Sequence, residues 1–320
     1  MSAMTEKHDV LFVGAMPDWW CERMEKDVTV HHLNRAADKE AFLKQHAPKT
    51  EVLLAGAPVD AALISKLPKL KLIASMGAGY ERIDVQAARQ RGVVVTNTPH
   101  ITDGCVADMA MALLLAWGRH IVQGDKFVRS GAWMKASYPL VPRVHGRRMG
   151  ILGLGRIGLA IARRAAAFDM PIAYHNRRPR TDVPYWYYPS LVDMARDVDV
   201  LMVATPGGDA THRIVTAEVL KVLGPKGVVV NIARGSIIDE PALVKALKDG
   251  TIAGAALDVF EFEPKVPEEL LTMDNVVLMP HRGGGSYETW ADACDMVKAN
   301  IQAFFKTGRP LTPVPETPII

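Results

Sequence analysis

The stretch MGILGLGRIGLAIARR, residues 149 to 164, constrains the fold of this chain more than any other segment. An apolar run leads into Gly153, Gly155 and Gly158, which stand in G-x-G-x-x-G spacing, and a helix-like pattern follows them. In such a unit the first glycine permits a tight turn, the second lets the backbone approach a pyrophosphate, and the third lets the helix pack close to the strand. The segment therefore predicts a strand–turn–helix unit that binds a dinucleotide.

Short apolar runs alternate with amphipathic stretches on both sides of this unit. In the first hundred residues the runs DVLFVGA, VTVHHL, EVLLAGA, LKLIAS and GVVVTN predict strands. Later in the chain MGILGL, PIAYHN, VDVLMVAT, GVVVNIA, GAALDVF and NVVLMP predict six more. Strands that are joined by helical crossovers favour parallel sheets, so we predict an α/β fold with two doubly wound domains.

The two strand series predict where these domains divide, in a chain of 320 residues that is long enough for two cores. We predict one domain from residues 1–100 together with 290–320, and a second, which carries the glycine unit, over residues 101–289. The helix-like stretch SYETWADACDMVKANIQAFFKTG near the C-terminus is long enough to return the chain to the first domain.

Charge and cysteine usage exclude several classes of function. The net charge of +3 is too small to indicate a nucleic-acid or membrane surface. Cys21, Cys105 and Cys294 are far apart and lack metal-ligand spacing, so we expect no metal site and a reducing compartment. The N-terminus lacks a signal-peptide pattern, and the run VADMAMALLLAWG is too short to span a bilayer. These features predict a cytoplasmic protein.

The position that normally carries an acid in a dinucleotide-binding unit holds no acid in this chain. An Asp or Glu there would bind the ribose hydroxyls of NAD, but the sequence reads Asn176, Arg177 and Arg178. Asn removes the charge that would repel a 2′-phosphate, and guanidinium groups make charge-assisted hydrogen bonds to phosphate. We therefore predict NADP(H) as the cofactor. The alternative interpretation is that these arginines only solubilise a surface loop.

Polar residues follow three of the later strands, where ligands bind in open α/β sheets. Arg234 follows VVVNIA, Asp258, Glu261 and Glu263 follow GAAL, and His281 follows VVLMP. A histidine with a carboxylate partner is a suitable proton donor near neutral pH, and an arginine can hold a carboxylate through two hydrogen bonds. Beside a nicotinamide, this set predicts hydride transfer to a 2-oxo acid. Each of the residues alone has a structural explanation.

The chain resembles the D-2-hydroxyacid dehydrogenase family over almost its whole length. MGAGYERID, VTNTPHITDGCVADMAMALLL, GILGLGRIG, NIARGSIIDEPAL, ALDVFEFEP and LMPH are similar to that family's signatures. The resemblance implies a flavodoxin-like substrate-binding domain, made of residues 1–100 and 290–320, into which a Rossmann NAD(P)-binding domain of residues 101–289 is inserted.

The resemblance also implies roles for individual residues. Arg234 would orient the substrate, His281 would be the general acid/base, and Glu263 would be the partner of His281. The backbone amides of Ala78 and Gly79 would bind the substrate carboxylate, together with Arg234 and His281. The residues expected to bind the cofactor are Val106, Gly153, Leu154, Gly155, Arg156, Ile157, Gly158, Asn176, Arg177, Arg178, Thr205, Pro206, Ile232, Ala233, Arg234, Asp258, His281 and Gly283.

Within the family, the chain is most similar to NADPH-dependent glyoxylate/hydroxypyruvate reductases. Formate dehydrogenases of this fold place Gln near the histidine, whereas Pro280 precedes His281 here. A 2-ketogluconate or broad 2-oxo acid reductase remains an alternative, because Arg282 and the glycines after it depart from the commoner pattern. A binding protein of another class, resembling nucleotide-sensing co-repressors, is also open, because such proteins retain the catalytic residues.

The expected partners are a small 2-oxo or 2-hydroxy acid and a second copy of the chain. The resemblance implies a homodimer, and the apolar helix ADMAMALLLAW and the segment SGAWMKASYPLVPR are candidates for its interface. The same helix would also fit a fully buried position inside one chain.

Overall fold

The computed structural model describes residues 7–318, and the chain divides into two compact units. The first unit runs to Thr102 and resumes at Ser286, and the second unit is Asp103–Gly285. Each unit is built on a parallel β-sheet with helical crossovers.

The sheet of the first unit has five parallel strands, in the order β2-β1-β3-β4-β5. This is the flavodoxin-like order. The two strands β3 and β4 are buried along their whole length, which explains why their sequences are uninterrupted apolar runs. The strands are β1 (His8–Val13), β2 (Val28–His32), β3 (Val52–Ala55), β4 (Leu72–Ser75) and β5 (Val94–Thr96).

The sheet of the second unit has seven parallel strands, in the order β12-β11-β10-β9-β6-β7-β8. This is the Rossmann order with a seventh strand at one edge, so the predicted fold class is confirmed. The strands are β6 (Met149–Leu152), β7 (Ile172–His175), β8 (Trp186–Tyr187), β9 (Val200–Val203), β10 (Val228–Asn231), β11 (Gly254–Leu257) and β12 (Val276–Leu278).

Strand β8 is the one strand of this sheet that the sequence did not predict. It has two residues, lies at the edge of the sheet and pairs only with β7. Trp186 is 71% exposed, and a strand of two residues is too short to show the pattern of a buried strand.

Short polar side chains begin most of the helices by accepting hydrogen bonds from the free amides of the first turn. Asp38, Asp60, Asp84, Ser190, Thr216, Asp239 and Ser286 act in this way. The helices are α1 (Asp18–Glu25), α2 (Lys39–His46), α3 (Ala61–Ser65), α4 (Val85–Gln90), α5 (Asp103–Gly118), α6 (Ile121–Arg129), α7 (Arg156–Ala166), α8 (Leu191–Asp197), α9 (Ala217–Leu223), α10 (Glu240–Lys248), α11 (Glu268–Leu271) and α12 (Tyr287–Thr307).

Two long helices, α5 and α12, each pack an apolar face into the hydrophobic core of one unit. In the second unit α5 buries Ala107, Ala110 and Leu114 against residues of the sheet and of α7. In the first unit α12 buries Cys294 and Ile301 against β1, β3 and β4. Helix α12 therefore belongs to the first unit although it follows the second in sequence.

No single helix between residues 7 and 318 is long and apolar enough to cross a membrane. Helices α5 and α6 satisfy the criterion only as a pair, with a bend of 58° between them.

Candidate active site

The turn between β6 and α7 requires two of its three glycines for reasons internal to the protein. Gly153 has a φ of +97°, and a Cβ there would lie 2.6 Å from the Thr205 backbone. A Cβ on Gly158 would lie 2.3 Å from the carbonyl oxygen of Gly153, so this glycine sets the spacing between helix and turn.

Gly155, the middle glycine, has no such internal reason, because a Cβ there would meet no atom of residues 7–318 within 4 Å. Gly155 is also the N-cap residue, directly before α7, and it provides no side-chain hydrogen bond to the first-turn amides. Amides at a helix N-terminus attract anions, and a glycine lets a ligand come close to them. The turn therefore fits the pyrophosphate of a dinucleotide.

The loop after β7 carries the three residues that are predicted to lie at the 2′-phosphate, and their side chains are in different environments. Asn176 Oδ1 accepts a hydrogen bond of 2.7 Å from the amide of Leu154, which links this loop to the glycine turn. Arg177 and Arg178 are exposed, and neither forms a hydrogen bond or ion pair with a residue in the described range. Two cations that no described residue neutralises thus lie next to the end of β7.

Arg180 fixes this loop from its other end, a role that the sequence analysis missed. Its Nη1 donates to the carbonyl oxygen of Leu154 at 2.9 Å, and its Nε donates to Asp182 Oδ1 at 2.9 Å. The Tyr174 hydroxyl accepts from the Arg180 amide at 2.8 Å. The hydrogen bond from Arg180 lowers the pKa of Asp182, so this carboxylate stays ionised beside the guanidinium. An arginine and an aspartate two residues apart are too common for sequence alone to predict such a pair.

A histidine and a carboxylate form a hydrogen-bonded pair in the segments that follow β11 and β12. Nδ1 of His281 and Oε2 of Glu263 are 2.7 Å apart, and the other oxygen of Glu263 accepts from the amide of Phe260 at 3.1 Å. Because an ionised carboxylate only accepts hydrogen bonds, Nδ1 carries the proton and donates it to Glu263. The imidazole is 46% exposed. Its Nε2, which has no hydrogen-bond partner among the residues described, is therefore available to a ligand.

The backbone at His281 is held in an unusual conformation by a buried carboxylate. His281 has a φ of 52°, in the left-handed region that non-glycine residues rarely adopt. Its amide donates to the Asp258 carbonyl oxygen at 2.8 Å, and the two Asp258 carboxylate oxygens accept from the amides of Arg282 and Gly283, each at 2.7 Å. Asp258 is 1% exposed, and burial raises its pKa. Asp258 thus positions the histidine.

A similar local network positions Arg234 after β10. Asn231 Nδ2 donates to the Arg234 carbonyl oxygen at 2.9 Å, and Asn231 Oδ1 accepts from the Ala233 amide at 3.0 Å. A Cβ on Gly235 would come within 1.9 Å of the Phe260 backbone, so only glycine fits there. The turn after β10 and the turn after β11 are therefore packed against each other.

Glu261, the other acid that the sequence placed near His281, is committed elsewhere. Its side chain is 7% exposed and accepts from Arg213 Nη2 at 2.9 Å. Its amide donates to Glu240 Oε2 at 3.0 Å, and burial raises the pKa of Glu240. Of the two acids, Glu263 is the one that is hydrogen-bonded to His281.

A family model for the D-isomer specific 2-hydroxyacid dehydrogenase, NAD binding domain, matches residues 111–283, which is more than half of the chain. The chain belongs to the D-isomer specific 2-hydroxyacid dehydrogenases. The resemblance inferred from its sequence motifs is thereby confirmed.

Two named relatives and a solved structure match most of this dehydrogenase. A glyoxylate/hydroxypyruvate reductase of Arabidopsis thaliana is 42% identical over 97% of this chain and 99% of its own length. A hydroxyphenylpyruvate reductase of Plectranthus scutellarioides is 48% identical over 81% of this chain and 82% of its own. The structure of an NADPH-dependent glyoxylate/hydroxypyruvate reductase of Sinorhizobium meliloti, in complex with NADP and malonate, is 42% identical with a TM-score of 0.91, covering 98% of each chain.

The remaining cofactor residues predicted for this dehydrogenase lie mostly at the same edge of the second sheet. Because all seven strands are parallel, the residues after β6, β7, β9, β10, β11 and β12 share the carboxyl edge. These residues include Thr205 and Pro206 after β9, and Ile232 and Ala233 after β10. From α5 the side chain of Val106 borders this edge, 3.5 Å from the position that a Cβ on Gly283 would take.

Two further predicted residues are held in place in different ways. Arg156, in the first turn of α7, donates through Nε to Asp103 Oδ2 at 3.1 Å. Ile157 is a half-buried neighbour of the core that α5 and the sheet enclose.

The predicted substrate-anion loop lies in the first unit, directly after β4. Asn97 Nδ2 donates to the Ala78 carbonyl oxygen at 2.7 Å, and the Gly77 amide donates to Ser75 Oγ at 3.4 Å. With these bonds the loop of Ala78 and Gly79 is fixed from within its own unit.

Proposed function

We propose that this dehydrogenase reduces small 2-oxo acids, glyoxylate and hydroxypyruvate among them, to 2-hydroxy acids with NADPH. The observation that carries the proposal is the Glu263–His281 pair, at the same sheet edge as a glycine turn that fits a dinucleotide. The names of the Arabidopsis and Sinorhizobium relatives, at 42% identity over nearly the full chain, support the substrate class.

The proposed chemistry assigns one role to each group. When bound, the reduced nicotinamide supplies a hydride to C2 of the 2-oxo acid. His281 donates the proton from Nε2 to the carbonyl oxygen, and Glu263 stabilises the imidazolium form in which that proton is held. Arg234 binds the substrate carboxylate and polarises its carbonyl, and the amides of Ala78 and Gly79 hold the carboxylate.

The choice of NADPH over NADH rests on the loop after β7. Arg177 and Arg178 are exposed cations without a protein partner in the described range, and Asn176 uses its side-chain oxygen on the Leu154 amide. Position 176 therefore carries a neutral amide, which does not repel a 2′-phosphate. The guanidinium groups of Arg177 and Arg178 are available to bind that phosphate.

The test is to follow NADPH oxidation with glyoxylate, hydroxypyruvate and 2-ketogluconate, and to repeat it with NADH. We expect turnover of glyoxylate and hydroxypyruvate, with a higher kcat/KM for NADPH than for NADH. Tight NADPH binding without turnover of any 2-oxo acid would contradict the proposal and favour a nucleotide-sensing binding protein. Preferential turnover of 2-ketogluconate would favour the broader reductase.

We propose in addition that the protein is a homodimer. The segment of residues 130–143 exposes large apolar side chains, with Trp133 at 66%, Met134 at 92% and Leu140 at 102% relative exposure. The adjoining α6 exposes Ile121 at 54%. Several large, exposed apolar side chains within one stretch of chain are typical of a protein–protein contact.

We propose a cytoplasmic location as well. The structure holds Cys21 and Cys294 as buried free thiols and Cys105 as a half-buried one, which suits a reducing compartment. Fractionation of cells that express a tagged chain tests this, and recovery from a secreted or membrane fraction would contradict it.

A further inference from the structure

One arginine of the second unit links the segments that follow three neighbouring strands, β9, β10 and β11. Arg213 lies in the segment after β9, and its amide donates to the Ser236 carbonyl oxygen at 2.7 Å, in the turn after β10. Its Nη2 donates to both carboxylate oxygens of Glu261, at 2.9 and 3.2 Å, in the turn after β11. Arg213 therefore contacts the turn that carries Arg234 and the turn that leads to Glu263.

The backbone at Arg213 is held in a conformation that non-glycine residues rarely adopt. Its φ is 49°, in the left-handed region, and such a conformation persists only where the surrounding structure fixes it. The hydrogen bond to Ser236 supplies part of that restraint. The same segment also approaches Arg234, because a Cβ on Gly207 would lie 2.8 Å from Cγ of that side chain. The segment after β9 thus packs against both turns.

Glu261 is held by its side chain and by its backbone, two residues before Glu263. Its carboxylate is 7% exposed and pairs with Arg213, and its amide donates to Glu240 Oε2 at 3.0 Å. A carboxylate withdrawn from water needs a partner, so the place of Glu261 depends on the guanidinium. Glu263 follows in the same turn and meets Nδ1 of His281 at 2.7 Å.

We propose that Arg213 is a positioning residue for the proton donor, and that through Glu261 it holds the turn in which Glu263 reaches His281. The inference rests on the proposed reduction of 2-oxo acids. A guanidinium suits this role because its forked contact fixes direction as well as distance. Without it a buried carboxylate would lose its cation, and Glu261 would turn towards water and displace the chain that leads to Glu263.

The test is a double-mutant cycle on kcat for glyoxylate with NADPH. We expect Arg213→Gln to lower kcat about 10- to 100-fold, the cost of misplacing a reacting group by up to about 1 Å. In a Glu263→Ala background the same change should lower kcat by no more than about twofold, because the side chain that Arg213 positions is already absent. The control Arg196→Gln removes an exposed ion pair with Asp193 on α8 and leaves kcat at the wild-type value.

NADPH titration shows whether the variant is folded, and Arg213→Gln should bind NADPH with near wild-type affinity. If it does not, Arg213→Lys, which keeps the charge but loses the fork, takes its place in the cycle. Equal losses of kcat with and without Glu263 would overturn the proposal, as would an unchanged kcat in Arg213→Gln. Loss of NADPH binding in both variants would show a role in folding alone and would overturn it as well.

A spectroscopic measurement separates this proposal from the proposed reaction. Nitrogen NMR of histidine-labelled protein, at a pH where the ring is neutral, reports which nitrogen of His281 carries the proton, and His281→Ala identifies its signals. The wild type should carry the proton on Nδ1, and Arg213→Gln should shift it partly to Nε2, since the hydrogen bond to Glu263 sets the tautomer. That shift supports the positioning role even if no 2-oxo acid is turned over, an outcome that contradicts the reaction alone. An unchanged tautomer in Arg213→Gln would overturn the positioning role.

Discussion

The chemistry proposed for this dehydrogenase depends on which ring nitrogen of His281 is hydrogen-bonded within the protein and which one is left for the substrate. Glu263 holds Nδ1 of His281 at 2.7 Å, and Asp258 fixes the backbone on the C-terminal side of that residue. Together these carboxylates select a tautomer and an orientation in which Nε2 is available. Without these two carboxylates the imidazole would not be held in this orientation.

Replacing the imidazole should remove the proton donor and leave the cofactor site in place. We expect His281→Ala to lower kcat by about 10²- to 10⁴-fold, the usual contribution of general acid catalysis. NADPH affinity, measured by fluorescence titration, should stay near the wild-type value. His145→Ala removes an exposed histidine of the same unit and is the control. Full activity of His281→Ala would show that another group donates the proton.

The two exposed arginines after β7 should discriminate between the cofactors. We expect Arg177→Ala with Arg178→Ala to weaken NADPH binding by roughly ten- to a hundredfold for each hydrogen bond to the phosphate that is removed, since a charged hydrogen bond contributes about 1.5–3 kcal/mol. NADH affinity should change little, because NADH lacks the 2′-phosphate. Arg163→Ala removes an exposed arginine from α7 as a control. If the double substitution weakens the binding of NADPH and of NADH equally, the arginines do not bind the 2′-phosphate.

The three thiols should differ in reactivity because of burial. Burial raises the pKa of Cys294 to about 12, so at pH 8 only about one molecule in ten thousand carries the thiolate. We expect a thiol reagent to modify the half-buried Cys105 first and to reach Cys294 only after unfolding. As pH rises from 9.0 towards 12, keeping this thiol buried and protonated should lower the free energy of unfolding. Rapid modification of Cys294 in the native protein, located by peptide mass, would contradict this.

At the scale of elements, the turns after the strands matter more than the strands themselves. The turns after β10 and β11 approach so closely that Gly235 has no room for a Cβ beside the Phe260 backbone. One of these turns carries Arg234, and the other leads to Glu263. A disturbance at Gly235 should therefore reach both proposed catalytic groups.

Gly235→Ala should be among the most damaging single substitutions in the second unit. Because the new Cβ would meet backbone that cannot rotate away, we expect a loss of roughly 2 kcal/mol or more in the free energy of unfolding and a large loss of kcat. In Gly104→Ala, by contrast, the new Cβ would have the Arg164 guanidinium at 3.8 Å as its nearest neighbour. That change should be neutral or stabilising by about 0.4–1 kcal/mol. Chemical denaturation measures the free energy of unfolding of both variants. Equal values for Gly235→Ala and Gly104→Ala would contradict the prediction.

At the scale of the whole molecule, the exposed apolar segment 130–143 predicts self-association. We expect light scattering at micromolar concentration to give about twice the mass of the 35.0 kDa chain. Leu140→Asp should shift the mass towards that of one chain, because it places a charge in an apolar contact. Leu271→Asp, at an exposed leucine outside that segment, is the control. A wild-type mass of one chain would contradict the proposed dimer.

The sequence by itself determined the strands other than β8, the glycine turn and the family. Apolar runs bounded by turn residues specify buried parallel strands, and the spacing of Gly153, Gly155 and Gly158 specifies a turn because sterics act locally. The residues at strand ends were found for the same reason, since parallel strands bring their carboxyl ends to one edge. Each of these inferences needs only neighbours in the chain.

Only the tertiary structure decided which polar groups meet. Glu261 and Glu263 are two residues apart and chemically alike, yet one pairs with Arg213 and the other with His281. Asp258, expected beside the cofactor, engages both carboxylate oxygens with backbone amides more than twenty residues later. Such pairings depend on how turns from separate strands pack in space, and on burial that leaves a carboxylate no water to bind. Neither quantity is encoded in the local pattern of the chain.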